Sequence, residues 1–197
     1  MIQIEPDLIL QAQKGNSEAF TTIVEAYQRP VFNLCYRMLG DPDEAEDAAQ
    51  ETFLRAYNKL RGYDPTRAFS TWLLSIAAHY CIDQLRKRRL TLVSMDAMPY
   101  LDPPDTNPGP EAAFHIKEDQ RRIQVMLKAL GPQDRAAVVL YYWYDFSYEE
   151  IAQQLETTVS AVKSRLHRAR LSLAQTWSEQ ESQRLTTEGK RHESPAF

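Results

Sequence analysis

The 197-residue sequence is poor in cysteine, with 2 residues, and in glycine, with 6. Two cysteines cannot build a disulfide framework or a four-cysteine zinc site, and both Cys35 and Cys81 stand among apolar residues without metal-ligand spacing. We therefore expect a reduced protein that resides in the cytoplasm and needs no metal or other cofactor.

Long apolar runs and an excess of positive charge are also missing. No run approaches the ~18 apolar residues of a membrane span, and the first residues, MIQIEPDLIL, lack the basic start and apolar core of a secretory signal. The net charge is -4, which argues against a general nucleic-acid coat because such binding needs dense positive charge. Any contact with nucleic acid is thus expected to be local.

The alternating pattern of a β-strand is absent, while apolar residues recur at intervals of three and four, which predicts an all-α fold. The pattern lapses over residues 91–110, where five prolines favour an extended linker: Pro99, Pro103, Pro104, Pro108 and Pro110. This linker divides the chain into two small helical domains, residues 1–90 and 111–177. Residues 178–197, rich in Ser, Thr, Glu and Gln, are expected to be a disordered tail. Within the first domain, Pro30 is expected to interrupt a helix that Asn16 or Ser17 caps.

The stretch DEAEDAAQETFLRAYNKL, residues 43–60, has the spacing of a helix with two different faces. One face stacks small and apolar residues and is expected to pack inward: Ala45, Ala49, Phe53, Ala56 and Leu60. The opposite face is acidic and partly apolar, with Asp47, Glu51, Leu54 and Asn58. From the residues alone, this face is either a partner-binding surface or a solvated surface with one stray leucine.

A second helical stretch, FSTWLLSIAAHYCIDQLRKRR, ends in four consecutive cations, residues 86–89. Cations at a helix C-terminus complement the helix dipole, which is one explanation. The nearby aromatic residues Tyr63, Phe69, Trp72 and Tyr80 favour another, since single-stranded nucleic acid binds to basic charge beside rings on which bases stack. Both interpretations stay open at this stage.

The stretch SYEEIAQQLETTVSAVKSRLHRAR predicts a helix-turn-helix in the C-terminal domain. Ser147 and Glu150 have the spacing of a capping box, and Thr158 can cap a second helix after a short turn. The second helix is expected to turn an apolar stripe inward and a basic, small-polar face outward. Glu156 stands where such turns commonly have glycine, and a non-glycine residue at positive φ costs energy, so the turn is expected to differ slightly from the usual one.

Together, these three stretches resemble the extracytoplasmic-function group of bacterial sigma factors, over about residues 5–175. The resemblance implies that residues 1–90 are sigma region 2, which binds core RNA polymerase and opens the minus-10 element, and that residues 111–177 are region 4, which reads the minus-35 element. The implied partners are the beta and beta-prime subunits of core RNA polymerase and promoter DNA, with an anti-sigma factor as a further candidate.

The resemblance also assigns site residues. For docking on the polymerase it implies Asp47, Gln50, Glu51 and Leu54. For the minus-10 element it implies Tyr63, Arg67 and Phe69 in the loop and His79, Asp83, Arg86 and Lys87 on the helix. The family pattern usually has Asn at the position of His79. For the minus-35 element it implies Ser160, Lys163, Ser164, His167 and Arg168.

Two other classes of protein compete with this interpretation. A plain DNA-binding regulator would share the helix-turn-helix but would not need the stripe on residues 47–58 or the basic, aromatic helix. An enzyme finds little support, because the four histidines are isolated and the sequence has no glycine-rich phosphate loop or catalytic triad spacing. We expect a transcription initiation factor without catalytic residues of its own.

Overall fold

A computed structural model describes the backbone of residues 5–94 and 111–192, and the side chains of residues 5–90 and 120–182. Within these residues eight α-helices and no β-strand are present, as the sequence predicts. The helices are α1 (Pro6–Gln13), α2 (Ser17–Leu39), α3 (Pro42–Lys59), α4 (Phe69–Ser94), α5 (Glu111–Lys128), α6 (Pro132–Tyr144), α7 (Tyr148–Gln154) and α8 (Val159–His192), and a 3₁₀ turn, Leu60–Gly62, follows α3.

The N-terminal domain is built from α1 to α4, whose ends are set by local capping. The Asn16 side chain accepts hydrogen bonds from the first backbone N–H groups of α2, and Asp41 does the same for α3. Between them Gly40 adopts a left-handed conformation, φ 80°, and terminates α2. The core of the domain lies where α2 packs against α3 and α4, around fully buried residues such as Leu34 and Leu73.

The expected interruption of α2 at Pro30 is wrong, because the helix continues through this residue. A proline inside a helix removes one backbone hydrogen bond and costs ~3 kcal/mol or more. Here the inward stripe of Ile23, Tyr27, Val31 and Leu34 is buried on both sides of Pro30. Burial of each such side chain contributes roughly 1.5–3 kcal/mol, so packing outweighs the local cost.

The C-terminal domain consists of α5 to α8. Gly131 precedes Pro132 at the first position of α6, and Asp145 ends that helix in a left-handed conformation, φ 55°. The domain core contains Leu127 of α5, Leu140 of α6 and Leu166 of α8, each nearly without exposure.

The structure differs from the sequence prediction at both boundaries of this domain. Helix α4 extends to Ser94, beyond the expected linker start, and residues 95–110 lie outside the described residues. Residues 178–192, which the sequence predicts to be disordered, instead continue α8 as a helix to His192. The first turns of this extension are held against α5, because the Arg122 guanidinium lies over the Trp177 ring and pairs with Glu181 at 3.2 Å. Residues 193–197 lie outside the described residues.

Candidate functional site

The face of α3 predicted to bind a partner is open to solvent. Asp47, Gln50 and Leu54 are exposed, and Glu51 is half-buried beside Arg55, with which it pairs at 2.7 Å. The Leu54 side chain is 61% exposed, although the opposite face of the same helix is buried in the core. A large apolar side chain framed by carboxylates is therefore available to a partner.

An aromatic cluster that is mostly buried joins the loop before α4 to the first turn of that helix. Tyr63 and Phe69 are 5% and 6% exposed, and Trp72, half-buried, lies with its ring centroid 4.9 Å from that of Tyr63. The Tyr63 hydroxyl donates a hydrogen bond to the Arg67 carbonyl, and burial raises the pKa of Tyr63. In this conformation the Tyr63 and Phe69 rings shape the loop and present little stacking surface. Of the three predicted loop residues, only Arg67 is exposed.

The predicted minus-10 residues of α4 share one side of the helix. His79, Asp83, Arg86 and Lys87 are spaced by three and four residues, and all but the half-buried His79 are exposed. The His79 Nδ1 atom lies 2.9 Å from the Ser75 carbonyl oxygen, which fixes one ring nitrogen on the backbone. Asp83 and Arg86 lie 3.8 Å apart and are both solvated, so either is free to pair with another group.

The helix-turn-helix prediction is confirmed in its details. The Ser147 hydroxyl accepts from the Glu150 backbone N–H at 3.1 Å, and the Glu150 carboxylate accepts from the Ser147 backbone N–H at 2.8 Å. Glu156 adopts φ 50° in the turn, and the Thr158 hydroxyl accepts from the Ala161 N–H at the start of α8. These contacts set the angle at which α8 leaves α7.

The capping box offers a direct test of this local geometry. Replacing Ser147 with alanine removes the side-chain acceptor and is expected to lower the free energy of unfolding by about 1 kcal/mol. Because Ser147 and Glu150 cap each other reciprocally, the Ser147→Ala and Glu150→Ala effects are expected to be non-additive in a double-mutant cycle measured by urea denaturation. Fully additive losses would contradict a reciprocal box.

All five predicted minus-35 residues are exposed on one side of α8: Ser160, Lys163, Ser164, His167 and Arg168. The inward side of the helix buries Val162, Leu166 and Ala169. Charge sorting on α8 therefore matches the sequence prediction, and the exposed side suits the negative potential of duplex DNA.

Sequence reasoning missed the groups that hold these cations in place. Asp134 of α6 accepts from Arg165 at 2.9 Å and from Arg168 at 3.4 Å. Arg170 donates to the Tyr142 hydroxyl at 2.9 Å, and the Lys163 ammonium lies 5.8 Å from the centre of the ring of Tyr148 on α7. The arginine pairs join residues 28 to 34 positions apart in the chain, and the contact of Lys163 with Tyr148 joins residues 15 apart, so helical spacing carries no signal for them.

The pKa of Tyr148 is lowered. The main cause is a hydrogen bond from the Tyr141 hydroxyl, and Arg170 adds a second hydrogen bond and its positive charge. With the Lys163 ammonium over its ring, this tyrosine lies beside the basic side of α8.

Sequence reasoning also missed Arg135, a buried arginine that joins the two domains. It is 6% exposed and donates to the Met38 carbonyl of α2 at 2.5 Å, and to the carbonyls of Lys128 and Leu130 at 3.0 and 3.2 Å. Burial lowers the pKa of Arg135 to about 10, so the guanidinium stays protonated at neutral pH. In the sequence, Arg135 stands between Asp134 and two alanines. This context does not distinguish it from any other charged residue in the first turn of a helix.

Among the described residues, no group of three or more His, Cys, Asp or Glu side chains is placed to hold a metal ion. None of the helices in that part of the chain combines the length and the hydropathy that a membrane span requires.

Comparison with known proteins agrees with this geometry. Residues 23–91 match the family model of sigma-70 region 2, and residues 120–173 match that of sigma-70 region 4. The chain is 37% identical over 179 residues to the ECF RNA polymerase sigma factor SigW of Bacillus subtilis, covering 84% of this chain and 92% of the relative. It is 30% identical over 186 residues to the RNA polymerase sigma-H factor of Pseudomonas aeruginosa, covering 84% and 90%.

Solved structures show the same architecture. CnrH, in complex with the cytosolic domain of CnrY, superposes with a TM-score of 0.66 at 25% identity, over 88% of this chain and 97% of that one. For the fold alone, the sigma factor RpoE of Bartonella quintana, in complex with the anti-sigma factor NepR, gives 0.64 at 22% identity over 81% and 96%. The chain therefore belongs to the extracytoplasmic-function group of the sigma-70 family, alternative sigma factors that bind core RNA polymerase and promoter DNA to initiate transcription of a specific regulon.

Proposed function

We propose that the exposed face of α3 is the main docking surface of this sigma factor on core RNA polymerase. Asp47, Gln50 and Glu51 would surround Leu54, which inserts between apolar groups of the polymerase while the acids meet a complementary charge. The observation that carries this proposal is the 61% exposure of Leu54 on a helix whose other side is packed. A regulator that binds DNA alone has no use for such a surface.

We propose that the loop and α4 act on the minus-10 element. Arg67, Arg86 and Lys87 would neutralise phosphates, while His79 and Asp83 lie on the same side of the helix, close enough to meet a base edge. Extruding a base costs a few kcal/mol, which contacts in a preformed pocket must offset. The buried rings of Tyr63 and Phe69 support this proposal, because their packing holds the loop in one conformation.

For the minus-35 element, the proposed reader is the exposed side of α8 inserted in the major groove. Lys163 and Arg168 are the long cationic donors, and Ser160, Ser164 and His167 supply short contacts between them. Asp134 is proposed to position Arg165 and Arg168 before DNA binds.

Arg168→Ala is expected to weaken binding to a cognate minus-35 duplex by about 5- to 150-fold. One good contact between a long cationic side chain and a base contributes about 1–3 kcal/mol of binding free energy, which corresponds to this factor. Binding to core polymerase should not change. The matched control is Arg121→Ala, which removes another exposed arginine, from α5. Fluorescence anisotropy with labelled duplex and with labelled core would measure both affinities, and an equal loss in both would refute the assignment.

The activity of this chain as a sigma factor can be tested directly by run-off transcription. Purified core RNA polymerase would be assayed with and without this protein on the DNA upstream of its own gene. A protein-dependent transcript with a defined start is the expected result. Failure to bind core at all would instead favour a plain DNA-binding regulator.

We further propose that the protein works in the cytoplasm, contributes no catalytic residue or cofactor of its own, and is held inactive by an anti-sigma protein. Support for the last point is that RpoE of Bartonella quintana, which shares this fold, was solved in complex with the anti-sigma factor NepR. Co-purification of a partner that blocks binding to core would test it.

A further inference from the structure

One ring nitrogen of His79 is bound to the backbone, and this contact determines which nitrogen carries the hydrogen. The Nδ1 atom lies 2.9 Å from the carbonyl oxygen of Ser75, one turn earlier in α4. A carbonyl oxygen only accepts hydrogen bonds, and in a neutral imidazole ring one nitrogen is a donor and the other an acceptor. Nδ1 is therefore the donor, and Nε2 keeps a lone pair that can only accept.

The Nε2 atom of His79 is available to an incoming group. Within residues 5–90 and 120–182, no side chain or backbone group forms a hydrogen bond with it. It is also not one of the buried polar atoms that lack a partner, so solvent reaches it. The ring as a whole is half-buried, and Ser75, which binds its other nitrogen, is 6% exposed. The acceptor is thus held at a defined place on the surface of α4.

Asp83 provides a second acceptor one turn further along α4. Residues four apart are neighbours on a helix surface, with Cβ atoms about 5–6 Å apart. The Asp83 side chain is 57% exposed, and its described ion pair, with Arg86, is a long one at 3.8 Å. A carboxylate has about four lone-pair sites, so this pairing leaves most of them for another donor. His79 and Asp83 therefore present two acceptors side by side.

A pair of acceptors discriminates between bases by the group that each base presents to it. Adenine and cytosine carry an amino group, at N6 and N4, where guanine and thymine carry an oxygen, at O6 and O4. An amino group can donate to Nε2 and to the carboxylate, whereas an oxygen that faces two acceptors bonds to neither and is repelled. Asparagine, which the family pattern usually has at the position of His79, both donates and accepts, so it lacks this selectivity.

We infer that His79 and Asp83 form an acceptor pair that selects an adenine or a cytosine, through its amino group, at one position of the minus-10 strand. The inference rests on the proposed function of α4 and adds to it the chemical class of the base that is bound. Arg86 and Lys87 lie on the same side of α4, where they can hold the phosphates of the strand. Phosphate contacts position a strand without reading its sequence, so the selection falls to the acceptor pair.

The place of the hydrogen on the His79 ring can be measured in the free protein. Two-dimensional ¹⁵N NMR of protein with labelled histidine distinguishes a ring nitrogen that carries a hydrogen from one with a lone pair, and the His79→Phe variant identifies the His79 signals. At about pH 8, where imidazole is neutral, we expect the hydrogen on Nδ1 and the lone pair on Nε2. The opposite assignment would overturn the inference without any DNA being present.

Selection of the amino group is tested with the holoenzyme and single-stranded DNA. Fluorescent oligonucleotides carry the non-template minus-10 strand of the promoter that run-off transcription identifies, and each position is replaced in turn by adenine, cytosine, purine or 2-pyrimidinone. Purine and 2-pyrimidinone are adenine and cytosine with hydrogen in place of the amino group. At one position we expect loss of the amino group to weaken binding about tenfold, because it leaves an acceptor of the protein unpaired.

Two variants attribute that loss to the acceptor pair. His79→Phe keeps an aromatic ring and removes both nitrogens, so the loss should be smaller in this variant, and in His79→Phe with Asp83→Ala it should be less than about twofold. The matched control is Lys87→Ala, which removes a proposed phosphate contact from the same side of α4. It should weaken binding to every strand alike and keep the difference of about tenfold.

The outcomes separate this inference from the proposed function. If Lys87→Ala weakens binding to no strand, α4 does not hold the minus-10 strand, and the proposed function of this helix fails together with the inference. If it weakens binding to all strands while no position distinguishes an amino base from its analogue, α4 holds the strand and the inference alone is refuted. A preference that survives in His79→Phe with Asp83→Ala would also refute it, because other residues would then select the base.

Discussion

Leu54→Arg is expected to weaken binding to core RNA polymerase about a hundredfold, the loss typical of a central interface residue that is replaced by an unpaired charge. The free energy of unfolding should change by no more than about 0.5 kcal/mol, because the side chain is mostly exposed in the free protein. Binding to an isolated minus-35 duplex should be preserved, since α8 lies in the other domain. Titration of fluorescent protein with core polymerase would measure the loss.

The chain offers a closely matched control in Leu171. This leucine lies on α8 and, like Leu54, is 61% exposed. Leu171→Arg therefore adds the same charge at an equally exposed apolar position outside the proposed docking face. If both variants lose the same affinity for core, the effect is one of general charge, and the α3 assignment is wrong.

Arg135→Met is expected to have the largest effect on stability, lowering the free energy of unfolding by about 3 kcal/mol. Methionine keeps most of the volume of the arginine side chain. It leaves the carbonyls of Met38, Lys128 and Leu130 without their charged donor. Urea denaturation followed by tryptophan fluorescence would measure the loss.

Arg121→Met serves as the control, because it removes the same charge from an exposed position on α5. The free energy of unfolding of that variant should fall by less than about 0.5 kcal/mol. A loss under about 1 kcal/mol for Arg135→Met would show that the buried guanidinium contributes no more than an ordinary surface arginine.

The helix-turn-helix was predictable in detail because its determinants are local. A capping box needs residues three apart, and the inward stripe of α8 needs only helical spacing, so Ser147, Thr158 and Val162 all behave as predicted. The expected difference of the turn at Glu156 is not seen in its backbone, because this residue adopts φ 50°, the left-handed conformation that glycine commonly supplies there.

Features that depend on how a helix packs against the rest of the protein could not be predicted from the sequence. Local preference predicts a break at Pro30 and disorder after residue 178, yet packing carries α2 through the proline and Arg122 holds the extension of α8. Tyr63 and Phe69 have the residue types of a stacking surface, but whether a ring faces solvent or core is decided by tertiary contacts, and here both are buried. Their roles, like those of all the assigned site residues, stay predictions.

The contacts between the domains have a consequence for how this protein could be recombined with its relatives. Arg135 and Tyr144 both donate to main-chain carbonyls of α2, those of Met38 and Pro30. A carbonyl is present whatever side chain its residue carries, so these two bonds place little constraint on the sequence of the N-terminal domain. A hybrid that joins this C-terminal domain to another family member's N-terminal domain should therefore keep both bonds, provided that its α2 has the same length and course.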